Sequence, residues 1–227
     1  MAEIRPDELV KTHLFFGFDD VLVNGKVSNS VNPMHVKLCL EKLRVLEDQN
    51  VLNFYIISGN SQKIALKKIA DSGLKDFFKR QNVFSVTSGY VNRKSRIDRE
   101  RYKEQISENS EFKDEFVKQK TFEKFMKKGV KPEKMLFIGH DLLTDAYYTL
   151  RFSKIDVAIV EKSASYMHQK LDQKVPGLTY IDVEWNDLKK VIMGNIPKPD
   201  YSALDKFVYQ KLRNELFKDV PPIKVGK

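Results

Sequence analysis

GVKPEKMLFIGHDLLTDAYYTL, residues 129–150, is the stretch of sequence that decides the fold. Gly129 and Pro132 form a helix-stop signal, and the run KMLFIG (134–139) that follows is apolar and of strand length. An apolar strand without polar alternation is typical of a parallel sheet that is covered on both faces. The stretch therefore predicts the end of one helix, a buried strand and the start of another helix.

The same rhythm of short apolar strands and helical patterns extends outward from this stretch over residues 13–192. Such alternation is the signature of βαβ units, and it predicts a Rossmann-like α/β fold. We expect a parallel sheet of about six strands with helices on both faces, in a domain that covers residues 1–194. The predicted strands are 13–18, 51–58, 82–88, 134–139, 155–161 and 178–184.

Helix signals lie between the predicted strands. Pro33 stands at the first turn of one helix, which also contains Cys39 as a packed thiol, and Ser61 caps a second helix that Gly73 ends. Apolar residues follow the three-to-four spacing of a helix face that packs on a core. They are Val36, Leu40, Leu43 and Leu46 in the first helix and Ile64, Ala65 and Ile69 in the second.

Two segments do not follow the repeat. Residues 89–117 are polar and poor in aliphatic side chains, which predicts a small exposed insertion that serves as a cap or as a contact arm. Residues 195–227 begin with the breaker cluster NIPKPD and continue into an amphipathic pattern and a basic tail. We predict a C-terminal helix over 201–217 whose apolar face docks on the domain or binds a partner. The apolar positions are Leu204, Phe207, Val208, Leu212 and Leu216.

Composition and charge narrow the class of protein. The 227 residues include 40 Lys and Arg against 31 Asp and Glu, which gives a net charge of +9. This excess favours polyanions, most commonly nucleic acid, although a solvated lysine-rich surface explains it equally well. The single cysteine, Cys39, cannot form an internal disulfide, and no apolar run reaches the ~20 residues of a membrane span. We therefore expect an intracellular, most simply cytoplasmic, protein without a membrane partner.

Three segments, in order, resemble the signatures of the haloacid dehalogenase-like (HAD) phosphatase superfamily, over about residues 12–190. FGFDDVLV (16–23) resembles the strand-end signature Asp-x-Asp-Gly-Thr/Val-Leu, and YIISGNS (55–61) resembles the strand that ends in Ser or Thr. Residues 129–150 resemble the approach to a Gly-Asp strand end that is followed by Thr-Asp. The resemblance implies an aspartyl-phosphate mechanism, with a nucleophilic carboxylate, an acid/base carboxylate, a hydroxyl and a lysine on the phosphoryl oxygens, and acids that hold Mg²⁺.

The matched positions depart from this pattern at two places. Gly17 occupies the position of the attacking carboxylate, and His140 occupies the position of an aspartate in the last motif. Mg²⁺ prefers oxygen ligands, so both the nucleophile and a metal ligand are lost. Asp19 keeps the acid/base position, Asp141 is displaced by one residue from the lost aspartate, and Asp145 keeps the Thr-Asp position.

The remaining matched positions each have a structural alternative. Ser58 matches the phosphate-holding hydroxyl, but a serine that ends a strand also bonds its own turn. Lys118 and Lys120 both lie within reach of the family's lysine position, but two solvated lysines are the simpler interpretation. Asp145 is also suited to capping the helix that follows.

These departures favour a HAD-like pseudoenzyme, a non-catalytic binding or structural component of a larger assembly. On this hypothesis no cofactor is expected, and the partners are proteins, with RNA or DNA as a further partner of the basic surface. Residues 90–134 carry 14 Lys and Arg against 9 Asp and Glu, the densest basic region of the chain. The interleaved acids make a solvated helix face nearly as good an explanation of that region.

The alternative hypothesis is an active Mg²⁺-dependent HAD phosphatase or phosphotransferase that acts on a small phosphorylated substrate. It needs another nucleophile, Asp19 or Asp20, after an outward shift of the strand end, and a metal held by Asp19, Asp141 and Asp145. A third hypothesis is a protein that binds a phosphorylated ligand without turnover.

All three hypotheses place the site at one edge of the sheet. Ligand sites of open α/β sheets lie at the carboxyl ends of the strands. We therefore expect the ends of strands 13–18, 51–58 and 134–139 to lie side by side, so that Gly17, Ser58 and His140 line one crevice.

Overall fold

The fold is a parallel α/β sheet, as predicted. The computed structural model describes residues 9–24, 31–85, 95–97, 99–100, 103, 112–160, 177–181, 185 and 188–194. Within these residues, six strands form one sheet in the order β3-β2-β1-β4-β5-β6, and every pair of neighbours is parallel. The strands are β1 (His13–Gly17), β2 (Asn53–Ser58), β3 (Val83–Ser85), β4 (Met135–Gly139), β5 (Asp156–Val160) and β6 (Leu178–Ile181).

Helices connect the strands and cover both faces of the sheet. The helices are α1 (Pro33–Asp48), α2 (Gln62–Asp71), α3 (Phe112–Lys127) and α4 (Leu188–Ile192). Two wider, π-helical turns, Leu142–Tyr147 and Thr149–Ser153, follow β4 in place of a regular α-helix. Short 3₁₀ turns at Arg80–Asn82 and Pro132–Lys134 lead into β3 and β4.

The central strand β1 contributes to two hydrophobic cores. Successive side chains of a strand point to opposite faces of the sheet. Leu14 and Phe16 pack in the core that contains the buried residues of α1 and α2, whereas Phe15 packs in the core that contains those of α3. The predicted arrangement of helices on both faces is therefore confirmed.

The helix starts follow the sequence signals closely. Asn32 caps α1 by accepting a hydrogen bond from Met34 N at 3.0 Å, directly before Pro33. The four predicted apolar positions of α1 are all buried. Ser61 caps α2, but Ile64, which we expected on the apolar face, is 48% exposed because it lies in the first turn on the solvent side.

A buried lysine holds the start of β1 against the other half of the sheet. Lys11 is 2% exposed, and its ammonium group donates to Glu133 O at 2.8 Å and pairs with the Asp156 carboxylate at the start of β5. The backbone N–H groups of Val10 and Lys11 both donate to Ile192 O of α4. These bonds fix the direction in which the chain enters the central strand.

Two predictions about the domain organisation fall mainly outside the described residues. The C-terminal segment 195–227 lies outside them entirely, and so does most of the insertion 89–117. Residues 112–117, which we placed in the insertion, are helical and form the first part of α3. Among the described residues, no helix combines the length and the apolar character needed to cross a membrane.

Candidate functional site

The sheet order creates a crevice between β1 and β4. Connections from β1 run toward β2 and β3 on one side, whereas β4, β5 and β6 extend the sheet on the other. Ligands of open α/β sheets bind at the carboxyl end of such a switch point. The crevice at this place is lined by Gly17, Phe18, Asp19, Ile57, Lys118, Phe137, His140 and Asp145.

The structure therefore brings together most, but not all, of the predicted site residues. Gly17, Asp19, His140 and Asp145 line the crevice as expected, whereas Ser58 is not among its lining residues. The Ser58 side chain is buried and accepts hydrogen bonds from Asn60 N at 3.2 Å and from Asn60 Nδ2 at 3.1 Å. Its geometry is that of a strand-end serine that bonds its own turn.

Gly17 is the last residue of β1, so the strand end is not shifted outward. A Cβ atom at this position would lie 3.3 Å from Val21 Cγ2 and 3.4 Å from the Ile138 carbonyl oxygen. The first distance is slightly shorter than ordinary van der Waals contact, and the second is at its lower limit. The position that the motif assigns to a nucleophile therefore has no side chain, and a side chain there would require Val21 to shift by a few tenths of an ångström.

The two candidate lysines differ completely in environment. Lys118 is 1% exposed, and its Nζ donates to Asp145 Oδ1 and to the Thr144 carbonyl oxygen, both at 2.7 Å. It also lies 4.6 Å from the centre of the Phe137 ring. Lys120, in contrast, is exposed and lies 3.9 Å from Glu123. The solvated interpretation is therefore wrong for Lys118 and correct for Lys120.

The Asp145 carboxylate accepts hydrogen bonds from several groups around the crevice. Its Oδ2 accepts the backbone N–H groups of His140 at 2.8 Å and of Asp141 at 3.2 Å, and it lies 3.4 Å from His140 Nδ1. Burial alone would raise the pKa of this carboxyl group. The charge of Lys118, the His140 ring and the hydrogen bonds outweigh burial and lower the pKa of Asp145 to about 2. Asp145 is therefore an ionised structural anchor at the end of β4.

The capping function that we considered for Asp145 belongs to Asp141. Asp141 Oδ1 accepts the Thr144 N–H at 2.7 Å and the Thr144 hydroxyl at 3.0 Å, which is the geometry of an N-cap residue. Asp141 is buried, and it is not among the residues that line the crevice. The displaced aspartate of the motif thus begins the π-helical turn.

Asp19 is held by two residues that the sequence analysis missed. Its Oδ1 lies 2.6 Å from Lys68 Nζ, and its Oδ2 accepts a hydrogen bond from Asn60 Nδ2 at 2.9 Å. Asn60 follows the β2 end, and Lys68 lies seven residues after the Ser61 cap, on the same side of α2. The position of Asn60 after a strand end was the available signal, because polar residues at this edge face the site.

Asp20, the other nucleophile of the alternative hypothesis, lies in a tight turn. It is buried, its φ angle is +62°, and its backbone N–H donates to Val23 O at 2.8 Å. Aspartate tolerates this left-handed conformation better than most residues. Its geometry is that of a turn residue.

The carboxylates proposed for Mg²⁺ do not form a metal site. Asp19 is committed to Lys68 and Asn60, Asp141 caps the following turn, and Asp145 is bound by Lys118 and two backbone N–H groups. In the part of the chain that the structure describes, no three His, Cys, Asp or Glu side chains are grouped so as to hold a metal. The donor set present here therefore does not fit the magnesium site that the family resemblance implies.

The crevice is also very small. Its cavity volume is about 10 Å³, close to the minimum space that one water molecule requires. A phosphoryl group is larger than a single water molecule. A phosphoryl group therefore does not fit inside the enclosed part of the crevice with the side chains in these positions.

Similar proteins were found among solved structures only. No protein-family model and no curated protein matches the sequence. One similar solved structure is the core domain of a phosphoglycolate phosphatase-like protein from Streptococcus pneumoniae TIGR4, with 13% identity and a TM-score of 0.47, covering 83% of this chain and 99% of that one. An uncharacterised protein from Listeria monocytogenes serotype 4b has 11% identity and a TM-score of 0.45, with 80% and 98% coverage.

A haloacid dehalogenase-like family hydrolase from S. pneumoniae is a third similar structure, with 11% identity, a TM-score of 0.38, and coverage of 88% of this chain and 99% of that one. At these identities and TM-scores, no conclusion about activity follows. The fold class is established by the parallel sheet and its strand order. The fold is Rossmann-like α/β.

Proposed function

We propose that this chain is a HAD-like protein without phosphoryl-transfer activity and that it acts as a binding or structural component of a larger assembly. The observation that carries the proposal is Gly17 at the crevice end of β1, where the implied mechanism needs a carboxylate. The nearest carboxylate along the chain, Asp19, forms an ion pair with Lys68 at 2.6 Å.

The other groups of the crevice are committed to each other. The Lys118 ammonium binds Asp145 and the Thr144 carbonyl, so a phosphoryl group would have to compete with two short hydrogen bonds. Phosphoryl transfer depends on positioned cations that neutralise the transferring group. The alternative, an active phosphatase, requires Asp19 to leave Lys68 and Asn60 and a metal to separate Lys118 from Asp145.

A basic surface supports the binding function. On α3 and the loop after it, Lys120, Lys124, Lys127, Lys128 and Lys131 are all exposed. The acidic Glu123 lies 3.9 Å from both Lys120 and Lys127 and offsets part of this charge. The remaining excess is suited to a polyanion or to an acidic protein partner. Location in the cytoplasm stays a prediction.

The test combines an activity assay with purification of the assembly. Purified wild type and Asp19→Asn are incubated with para-nitrophenyl phosphate and Mg²⁺, and we expect equal background rates. Turnover by the wild type that Asp19→Asn abolishes would overturn the proposal in favour of the phosphatase. The tagged full chain is then purified from cells with and without nuclease, and we expect stoichiometric protein partners in at least one condition.

A further inference from the structure

Helix α1 carries a row of apolar side chains on its solvent-facing side. Met34, Leu38 and Val45 are 71%, 46% and 59% exposed, and their spacing places them on one face of the helix. The four apolar residues of α1 that pack in the core lie on the opposite face. We call the three exposed side chains the α1 stripe. An exposed row of this kind is typical of a surface that another amphipathic helix covers.

The last described helix, α4, brings the chain back to the layer that contains α1. Buried residues of both helices belong to the same hydrophobic core. The Ile192 carbonyl oxygen accepts the Val10 N–H at 3.1 Å, shortly before β1 begins. A Cβ atom at Gly194 would lie 2.7 Å from Val10 Cγ2, so Gly194 packs directly against Val10. The chain therefore leaves α4 beside the amino end of β1.

The C-terminal end of α1 lies at the same edge of the sheet. The Leu52 N–H donates to Leu46 O at 3.2 Å, and the Asn53 N–H donates to Thr12 O at 3.0 Å. The last turn of α1 is thus joined, through the start of β2, to the segment before β1 against which α4 ends. Val45 belongs to this last turn of α1. One end of the α1 stripe therefore lies near the point from which residues 195–227 continue.

The length of the chain beyond Gly194 suits this surface. Residues 195–200 could reach about 20 Å when extended, and residues 201–217 carry the amphipathic pattern that the sequence predicts to be helical. In such a helix the row from Leu204 to Leu216 is about 18 Å long, at 1.5 Å per residue. The α1 stripe, from Met34 to Val45, is about 16 Å long by the same measure. The two apolar rows therefore match in length.

We propose that residues 201–217, which lie outside the described residues, dock on the α1 stripe as a helix antiparallel to α1. The segment arrives at the Val45 end of the stripe, so its first apolar residue, Leu204, packs there. A second copy of the chain is the less suitable occupant, because three side chains bury far less than the ~800 Å² per partner of a stable interface. A tethered segment has a high effective concentration at the stripe, so a small contact is enough to hold it.

The experiment measures hydrogen exchange of the full-length protein, resolved to the amides of residues 204–216. In the wild type these amides should exchange at least about tenfold more slowly than unprotected amides. Leu38→Ser should speed their exchange roughly three- to tenfold, as expected when part of the apolar burial of one leucine is lost. The amides of β4 are the internal reference for global stability, and their exchange should not change.

Two further variants separate docking on α1 from a general effect of surface apolar groups. Leu38→Met keeps an apolar side chain of similar size, so the amides of 204–216 should stay protected as in the wild type. Phe152→Ser is the matched control, because Phe152 is 63% exposed in the segment that packs with α3 on the other face of the sheet. It should leave the exchange of 204–216 unchanged.

Amine cross-linking of the wild type shows whether the docking occurs within one chain. Lys42 is exposed on α1, and Lys206 and Lys211 belong to the docking segment. We expect cross-links from Lys42 to this segment, and fewer from the exposed Lys120 of α3. In a mixture of ¹⁴N- and ¹⁵N-labelled protein, the cross-links should join peptides of the same isotope.

Three results would overturn the inference. They are unprotected amides at 204–216 in the wild type, equal exchange of these amides in the wild type and Leu38→Ser, or cross-links that join mainly peptides of different isotopes, which would assign the stripe to a second copy. The inference goes beyond the proposed function and does not depend on it. Mg²⁺-dependent turnover would refute the proposed function and leave the exchange result intact.

Discussion

Lys118 Nζ lies 2.7 Å from Asp145 Oδ1, and both side chains are buried beside the end of β4. The pair joins α3 to the π-helical turn, because Lys118 comes from the helix and also binds the Thr144 carbonyl. A buried ion pair contributes little net stability compared with an apolar pair, but loss of one partner leaves an uncompensated buried charge. The pair is therefore a point at which single substitutions have large effects.

Lys118→Met should destabilise the protein by about 3–5 kcal/mol, the usual cost of breaking a buried pair. Lys120→Met is the matched control, because Lys120 is exposed on the same helix, and it should change the free energy of unfolding by less than about 0.5 kcal/mol. Urea unfolding monitored by circular dichroism measures both values. Equal effects of the two substitutions would mean that Lys118 does not form a buried ion pair with Asp145.

Acid should destabilise the protein through Asp145. The pKa of this group is lowered from 3.8 to about 2 by Lys118, His140 and its hydrogen bonds, against the opposing effect of burial. Because the pKa is lower in the folded state, the group's contribution is fully present above about pH 4 and is lost as the pH falls toward 2. The expected loss from this group is on the order of 2 kcal/mol.

The control for acid denaturation is Asp145→Asn, which removes the titrating carboxyl group with little change of shape. This variant should be less stable than the wild type at pH 6, and the difference should shrink as the pH falls from 4 to 2. Urea unfolding at several pH values supplies the comparison, and the other carboxyl groups titrate in both proteins. A difference that stays constant with pH would show that Asp145 is not the group responsible.

Gly139 is required by the packing of Asp145. A Cβ atom at residue 139 would lie 2.5 Å from Asp145 Cβ, and Asp145 cannot move without breaking its bonds to Lys118 and His140. Gly139→Ala should therefore cost about 3 kcal/mol or more, at the upper end of overpacking effects. Gly17→Ala, whose nearest contact is 3.3 Å, should cost less. Thermal unfolding ranks the two variants, and the reverse order would contradict the described geometry.

The fold could be predicted because its information is local. The strands β1, β2, β4 and β5 are short apolar runs. Their predicted carboxyl ends lie within one residue of the observed ends, as for β4 at Gly139. Parallel strands bring their carboxyl ends to one edge, so the convergence of Gly17 and His140 in one crevice followed from strand order. Ser58, the third residue expected there, does not line the crevice. Pro33 and Ser61 predicted their helix starts for equally local reasons.

The partners within the site could not be predicted, because they are set by tertiary contacts. Lys118 and Lys120 look alike in the sequence. The first is buried and the second exposed because the rotation of α3 about its axis turns Lys118 toward the sheet and Lys120 toward solvent. The contact of Asp19 with Lys68 spans 49 residues and depends on how α2 packs. The cap at Asp141 depends on a π-helical turn, a geometry that periodicity does not distinguish from an α-helix.

The last prediction concerns the restoration of catalysis. Gly17→Asp alone should give no appreciable Mg²⁺-dependent hydrolysis of para-nitrophenyl phosphate. A carboxylate at residue 17 would lie close to Val21, and it would meet a phosphate with no metal held beside it. Two anions repel each other without a cation, and the charge of the transition state would not be neutralised.

The double variant Gly17→Asp with His140→Asp has the better prospect of activity. It places a new carboxylate at each of the two degenerate positions, beside Asp19 and Lys118, and removes the imidazole that faces Asp145. Hydrolysis is measured with and without Mg²⁺ for the wild type, both single variants and the double variant, after circular dichroism shows that each is folded. Activity confined to the double variant would mean that the two substitutions act as a unit. Strong activity in the wild type or in Gly17→Asp alone would show that the nucleophile and metal positions are assigned to the wrong residues.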